Sequence, residues 1–222
     1  MWHNKKGIMV QFLVSLLICL IVFIPTCMAV SKILFRTSEQ AQDNYSEFIQ
    51  ELNEFAGKGQ IGERKSILLI MDEGTAIVYF QKDAQQVVVE VEAKLPNTDY
   101  SIDLLKPGQC QDNRNCLCLF RESDFETTVF DDGLSGKITV IPERIVCTNL
   151  EYDLEVETCS IGEGTLVKSY TCSGGFMIER NLAKDSSVFV GSYYEIPRRT
   201  VLYFIKDSNA IKLLGNYGGT NE

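Results

Sequence analysis

The sequence predicts an α+β protein with an N-terminal transmembrane helix, an amphipathic helix and a mainly antiparallel β ectodomain braced by disulfides. Three observations predict this fold class. Residues 8–30 form one apolar run, and apolar residues then recur at three- and four-residue intervals between positions 38 and 56. From residue 65 onwards, short segments rich in Val, Ile, Tyr and Phe alternate with Gly, Pro and Asp breaks, and this part contains six of the eight cysteines.

The apolar run over residues 8–30 is long enough to cross a membrane. At about 1.5 Å per helical residue it spans roughly 34 Å, enough for the roughly 30 Å of a bilayer's hydrocarbon core. A cleaved signal peptide is the alternative, because Cys27-Met28-Ala29 matches a small-residue cleavage pattern, but the apolar part of a signal peptide is usually only about 7 to 15 residues long. We therefore expect a retained anchor that contacts the lipid bilayer through residues 8–30.

The cysteines decide the predicted topology, because the basic residues Lys5 and Lys6 before the apolar run are matched by Lys32 and Arg36 after it. An even set of cysteines in the C-terminal part is typical of disulfides formed in an oxidising compartment. We predict a single-pass protein with a cytoplasmic N-terminus and an extracytoplasmic C-terminal domain. Its predicted parts are a cytoplasmic stub at 1–7, the transmembrane helix at 8–30, a helical stalk and linker at 31–64, a β-rich ectodomain at 65–214 and a flexible tail at 215–222.

The charge balance argues against nucleic acid as a partner. The chain has 21 basic and 30 acidic residues, which gives a formal net charge of −9. A surface this acidic repels phosphate backbones. Apart from the bilayer, the predicted partner is therefore another protein or a second copy of this chain.

The segment over residues 38–56 is predicted to be an amphipathic helix that ends at Gly57 and Gly59. We expect its apolar stripe to pack on its own domain, with self-association or a protein partner on this helix as the alternative. The stripe consists of Ala41, Tyr45, Phe48, Ile49, Leu52 and Phe55.

The ectodomain is predicted to begin with three strands in an antiparallel meander, at Ser66–Met71, Thr75–Gln81 and Gln86–Ala93. Strict alternation over 151–157 predicts a strand with one core face and one acidic, solvated face. This is one of four predicted strands of the middle segment, which are Lys137–Ile141, Ile145–Thr148, Tyr152–Glu157 and Thr165–Tyr170.

The cysteine spacing predicts disulfides in the ectodomain but leaves their pairing open. Residues two apart on a strand share a face, so we expect Cys116 and Cys118 to reach across to different partners. A structural zinc site and a redox-active Cys-x-Cys pair are alternatives, but zinc sites usually add a second spaced pair or histidines, and the one histidine is His3. The disulfide candidates are Cys110, Cys116, Cys118, Cys147, Cys159 and Cys172.

No motif predicts catalysis or a cofactor. Ser173-Gly174-Gly175 invites comparison with a protease nucleophile, but His3 lies across the predicted membrane, so no Ser-His-Asp triad assembles within the chain. The glycine clusters lack the spacing of a phosphate-binding loop. We therefore predict no catalytic, cofactor-binding or metal-binding residue, with a hydrolase that uses paired carboxylates as an alternative.

The N-terminal layout resembles that of type IV pilins and pseudopilins. A short basic leader ends at Lys6-Gly7, an apolar segment starts at Ile8, and an amphipathic helix to Ala56 precedes a β-rich, cysteine-bearing head. The resemblance, which covers the first 56 residues, implies peptidase cleavage after Gly7 and packing of the apolar helices in a filament. The sequence departs from the family pattern at Phe12, where such chains usually carry a glutamate.

The predicted function is that of a single-pass, membrane-anchored extracytoplasmic protein that serves as a binding or structural surface module without catalysis. A type IV pilin-like or pseudopilin-like subunit is the first alternative. An extracytoplasmic hydrolase based on carboxylates is the second.

Overall fold

The structure is a computed structural model that describes residues 41–93, 100–129, 136–156, 167–180 and 199–214, together with five single positions near the N-terminus. The chain divides into two compact units, Met1–Ala41 and Gln42–Glu222. In the first unit the five described positions are helical and exposed: Val14, Leu16, Leu17, Cys19 and Phe23.

Within the described residues, no helix is both long enough and apolar enough to cross a bilayer. The predicted span at 8–30 lies outside the described residues except for the five single positions, so it stays a prediction. The predicted stub at 1–7 and tail at 215–222 also lie outside them.

Helix α1 covers residues 41–58 and so begins at the last residue of the first unit, and the strands that follow it all belong to the second unit. This confirms a mainly β-sheet domain preceded by a helix. The strands are β1 (Arg64–Ile70), β2 (Thr75–Phe80), β3 (Gln86–Ala93), β4 (Tyr100–Leu105), β5 (Asn115–Val129), β6 (Gly136–Leu150), β7 (Asp153–Val156), β8 (Val167–Ser173), β9 (Gly175–Arg180), β10 (Arg199–Lys206) and β11 (Ala210–Leu213).

The strands form two sheets. The smaller sheet has four strands in the order β1-β10-β11-β7, and the larger has seven in the order β8-β3-β4-β6-β5-β2-β9. All neighbouring strands are antiparallel except the pairs β4 with β6 and β11 with β7. The two end strands of the larger sheet, β8 and β9, are separated in sequence by Gly174 alone. The larger sheet therefore curls until its two edges meet at this corner.

Two glycines make the corner between β8 and β9 possible. Gly174 and Gly175 have φ angles of 75° and 149°, which disfavour residues with a side chain. A Cβ on Gly174 would lie 2.2 Å from the carbonyl oxygen of Gln86, and one on Gly175 would lie 1.8 Å from that of Tyr79. The predicted turn at these glycines is thus a tight corner that touches both β2 and β3.

Two hydrophobic cores share the central strands of the larger sheet. On β2, Ile77 and Tyr79 face the first core, whereas Val78 and Phe80 face the second. This division follows from the two-residue period of a strand. The first core lies between the larger sheet, the smaller sheet and α1, and the second fills the inside of the curled sheet. All six apolar residues of the predicted helical stripe are buried, and the five from Tyr45 to Phe55 belong to the first core, so this part of the stripe packs on its own domain.

The predicted meander of the first three strands is wrong, although all three segments are strands. β1 belongs to the smaller sheet, where it pairs with β10, while β2 pairs with β5 and β9. Every residue of β2 is buried. A strand buried on both faces reads as a continuous apolar run, and such a run carries no alternation that would identify its neighbours.

The predicted strands at 137–141 and 145–148 are one strand, β6, which continues through Pro142. Pro142 lies opposite Ser123 on β5, and the next pair is missing from the ladder where Glu122 adopts a φ of 50°. Because proline cannot donate to the ladder, the sequence predicts a break there. In the structure the strand continues instead, and the ladder is interrupted only at the one missing pair beside Glu122.

Candidate functional site

The predicted disulfide residues converge in the second core. Cys116 and Cys118 lie on the same face of β5 and form bonds to different partners, Cys110 in the preceding loop and Cys147 on β6. Cys118 and Cys147 are directly opposite each other in the antiparallel ladder. This confirms disulfides in the β-rich part. Cys172 on β8 is also disulfide-bonded. Cys159 lies outside the described residues.

The two described disulfides are in contact. The Sγ atom of Cys118 lies 3.4 Å from that of Cys110 and 3.7 Å from that of Cys116. All four sulfur atoms lie within 4.8 Å of one another, a spacing that four thiolates would need to hold a metal ion. Sulfurs in disulfide bonds are not thiolates, and Cys110, Cys116 and Cys118 are buried. The chemistry of this cluster is therefore that of a structural brace.

Three tyrosines form hydrogen bonds around the first core: Tyr45 and Tyr152 join α1 to the β-rich part, and Tyr79 joins β2 to β7. The hydroxyl of Tyr45 donates a hydrogen bond of 2.6 Å to the carbonyl of Leu117, and that of Tyr79 accepts one of 3.0 Å from the amide of Leu154. Burial raises the pKa of Tyr45 and of Tyr79 to about 12. Burial also raises the pKa of Tyr152. All three side chains stay protonated at neutral pH and act as structural hydrogen-bonding groups.

Residues of the acidic strand predicted at 151–157 form hydrogen bonds and an ion pair with neighbouring elements. The amide nitrogen of the buried Asn115 side chain donates to Asp153 at 2.7 Å and to the carbonyl of Tyr152 at 2.9 Å. Glu155 lies 3.7 Å from the Nζ atom of Lys212. Leu154 between them is buried, as the alternation predicts. These contacts hold β7 in place.

The two buried carboxylates of the described part do not converge. Asp103 on β4 lies between Ile102 and Leu104, which both face the second core. Its side chain is therefore on the opposite face of the sheet. There it forms an ion pair of 2.5 Å with Lys137. Glu179 on β9 shares the face of Met177 and so points to the inside. A glycosidase needs two carboxyl groups that flank one bond, and this pair is separated by the sheet.

The smaller sheet presents an apolar surface on the face that points away from the first core. Leu68 on β1 and Val201 and Tyr203 on β10 are 50%, 42% and 49% exposed. We call these three residues the outer patch. Ile70 and Ile205, which lie at the ends of the same two strands, are half-buried. The outer patch is contiguous, because Leu68 is directly opposite Val201 in the β1–β10 ladder.

The outer patch is the feature that sequence reasoning missed. A usable signal is present on β10, where Val201 and Tyr203 alternate with the buried Leu202 and Phe204. Both faces of this strand are therefore apolar, yet only one face is covered within the described residues. An exposed strand face that is apolar rather than polar is a recognised sign of an interaction surface.

Comparisons of the chain with family models, with curated proteins and with solved structures found no match.

Proposed function

We propose that the protein is a membrane-anchored extracytoplasmic module that binds or organises another surface component through its outer patch and catalyses no reaction. The exposure of Leu68, Val201 and Tyr203 carries this proposal, because contiguous apolar groups on a strand face favour contact with another surface over contact with water. The helical stripe is the less suitable partner surface, since its residues are already buried in the first core.

Two further observations support the location. Residues 8–30 have the length and apolarity of a membrane anchor. Disulfides that fill a core are typical of proteins that fold in an oxidising compartment. The test is fractionation of cells that make the full-length chain, followed by protease treatment of intact cells. We expect carbonate-resistant membrane association and digestion of the C-terminal domain from outside. Recovery of the intact chain in the soluble intracellular fraction would contradict the proposal.

The binding role is tested by photo-crosslinking in cells. A photoreactive phenylalanine analogue in place of Tyr203 should give crosslinked products, because this side chain is exposed within the outer patch. The matched control replaces Leu105, which is 58% exposed at the end of β4 in the larger sheet. Equal crosslinking from positions 105 and 203, or none from position 203, would remove the outer patch as the contact surface.

A type IV pilin-like or pseudopilin-like subunit is the second candidate. One observation favours it: an amphipathic helix directly precedes a disulfide-bearing β domain, which is the order of elements on which the resemblance rests. Mass spectrometry of the mature N-terminus separates the two functions. A chain that begins at Ile8 would support the pilin-like function, and a chain that begins at Met1 would exclude it.

A further inference from the structure

The cysteines of the two disulfides in the second core differ in their exposure. Cys110, Cys116 and Cys118 are buried, whereas Cys147 on β6 is half-buried. The strand arrangement accounts for this difference, because β4 pairs with β6 only over residues 136–140. Within the described residues, the part of β6 that carries Cys147 has β5 on one side and no strand on the other. An external thiol therefore has better access to Cys147 than to the three buried cysteines.

The sulfur atom of Cys118 lies against the second disulfide. Its Sγ atom is 3.4 Å from that of Cys110 and 3.7 Å from that of Cys116, so it touches both atoms of the Cys110–Cys116 bond. A disulfide is about 2.0 Å long, so a Cys118 thiolate needs to move by only about 1.4 Å to bond to Cys110. A bond to Cys116 is less favourable, because Cα atoms two residues apart on a strand are separated by about 6.6 Å, near the upper limit for a disulfide. Cys110 is therefore the sulfur that a Cys118 thiolate attacks.

We propose that the four cysteines of this cluster accept two electrons from an external dithiol by a disulfide exchange that begins at Cys147. In the first step a thiolate of the dithiol attacks the Sγ atom of Cys147, the Cys118–Cys147 bond breaks, and Cys118 leaves as a thiolate. In the second step this thiolate attacks the Sγ atom of Cys110, the Cys110–Cys116 bond breaks, and Cys116 leaves as a thiolate. Exposure thus selects the sulfur that is attacked first, and contact selects where the released thiolate reacts.

The electrons and protons of the exchange balance in a third step. The second thiolate of the dithiol attacks the sulfur atom that the first step bonded to Cys147, and Cys147 leaves as a thiolate. The dithiol becomes a disulfide, and its two protons end on Cys116 and Cys147. The cluster finishes with one disulfide, Cys110–Cys118, and two thiols. One dithiol is consumed for each chain, so the exchange is a stoichiometric redox response that goes beyond the proposed contact role and does not depend on it.

The exchange changes which parts of the chain are crosslinked. In the oxidised protein Cys118–Cys147 joins β5 to β6 at two residues that are directly opposite in the ladder. After the exchange this crosslink is absent, whereas the loop that carries Cys110 is still bonded to β5. The cluster is therefore a brace in the oxidised protein, and a dithiol removes the part of the brace that joins the two strands.

The exchange is tested by limited reduction of the full-length oxidised protein in detergent, with Cys19→Ser and Cys27→Ser so that only the six candidate cysteines remain. One equivalent of dithiothreitol is added, acid stops the reaction, and free thiols are alkylated. Mass spectrometry of the digested protein then identifies the alkylated cysteines and the disulfide-linked peptides. Trypsin cuts after Arg114 and so separates Cys110 from the peptide that carries Cys116 and Cys118, which fragment ions distinguish.

We expect a Cys110–Cys118 bond together with alkylated Cys116 and Cys147, at least ~10-fold more abundant than in the untreated protein. Alkylation of Cys118 and Cys147 alone, with Cys110–Cys116 intact, would overturn the exchange. Alkylation of Cys110 and Cys116 with Cys118–Cys147 intact would overturn entry at Cys147. A folded protein whose cluster gains no thiol would overturn the whole inference.

Two controls isolate the individual steps. Reduced glutathione has one thiol and does not complete the third step, so it should remain on Cys147 as a mixed disulfide; glutathione on a buried cysteine instead would contradict the entry point. The double variant Cys110→Ser with Cys116→Ser lacks the acceptor bond, so the same reduction should leave thiols at Cys118 and Cys147. Failure of the exchange would leave photo-crosslinking from position 203, and with it the proposed contact role, unaffected.

Discussion

The two sheets of this protein differ in the arrangement of their edge strands and in where they place apolar residues. The seven-stranded sheet curls until β8 and β9 meet at Gly174, and its inside holds the two described disulfides. The four-stranded sheet stays open, has one face covered by α1 and exposes apolar residues on the other. In the proposed function, recognition belongs to the smaller sheet, whereas the two described disulfides lie in the larger one. The edge strands of the larger sheet, β8 and β9, meet at one corner, whereas those of the smaller sheet, β1 and β7, lie apart in the strand order, and that sheet exposes an apolar face.

The largest expected effect tests how strongly α1 holds the two sheets together. Leu52 is fully buried in the first core, so Leu52→Ala should lower the free energy of unfolding by about 2–5 kcal/mol through lost burial and the cavity that remains. The control is Glu47→Ala on the exposed face of α1, which should change it by less than about 0.5 kcal/mol. Urea denaturation followed by circular dichroism measures both. Equal effects would show that α1 contributes little to the fold.

The second prediction compares the two disulfides of the larger sheet. In the chain-entropy description, a crosslink across 29 residues stabilises by about 3.6 kcal/mol and one across six residues by about 2.2 kcal/mol. The double variant Cys118→Ser with Cys147→Ser should therefore be less stable than Cys110→Ser with Cys116→Ser. Urea midpoints of the two variants give the comparison.

The control for the second prediction is peptide mapping of the native protein without reduction. We expect no free thiol among the six candidates, including Cys159, which would then pair with Cys172. Two or more free thiols would contradict the proposed bracing, and equal midpoints for the two double variants would contradict the ranking of the two disulfides by loop length.

The sequence predicts local features of this fold better than its pairings. The stripe of α1 and the alternation around Leu154 are encoded within one element, and both match the structure. The neighbours of β2 are not encoded locally, because the strand is apolar on both faces and its partners, β5 and β9, are distant in sequence. The cysteine pairing also depends on which strands meet, since Cys118 and Cys147 are opposite only in the completed ladder.

The candidate site is less predictable than the fold for a related reason. Val201 and Tyr203 look like core residues in the sequence, because apolar residues of a strand are usually buried. Only the packing of α1, whose Phe48 ring lies 6.2 Å from that of Phe204, shows that the helix covers the other face of β10. The exposed apolar surface therefore results from tertiary structure and not from any local motif.

The third prediction concerns two buried tyrosines, Tyr45, which joins α1 to β5, and Tyr79, which joins β2 to β7. Burial raises the pKa of Tyr45 and Tyr79 to about 12, above the ordinary value of 10.0. Between these values the unfolded chain has lost protons that the folded chain retains, so the free energy of unfolding is unaffected below pH 10 and falls as the pH rises towards 12. At pH 11 the loss is on the order of 1 kcal/mol for each tyrosine.

Urea midpoints at pH 9 and pH 11 test this dependence. The double variant Tyr45→Phe with Tyr79→Phe should show a smaller loss between the two pH values than the unmodified chain. An identical loss in both proteins would mean that other groups cause the alkaline destabilisation.

The smallest expected effect is that of a substitution at Val201, and it distinguishes the exposed face of β10 from the buried one. Val201 is 42% exposed on the outer patch, so Val201→Ser should change the free energy of unfolding by less than about 0.5 kcal/mol in dilute solution. Its neighbour Leu202 is fully buried, and Leu202→Ala should cost about 2–5 kcal/mol. If the first substitution instead destabilises strongly at low concentration, the outer patch must be covered within a single chain. A near-zero effect means that Val201 contributes little to folding, which leaves it available for contacts with a partner.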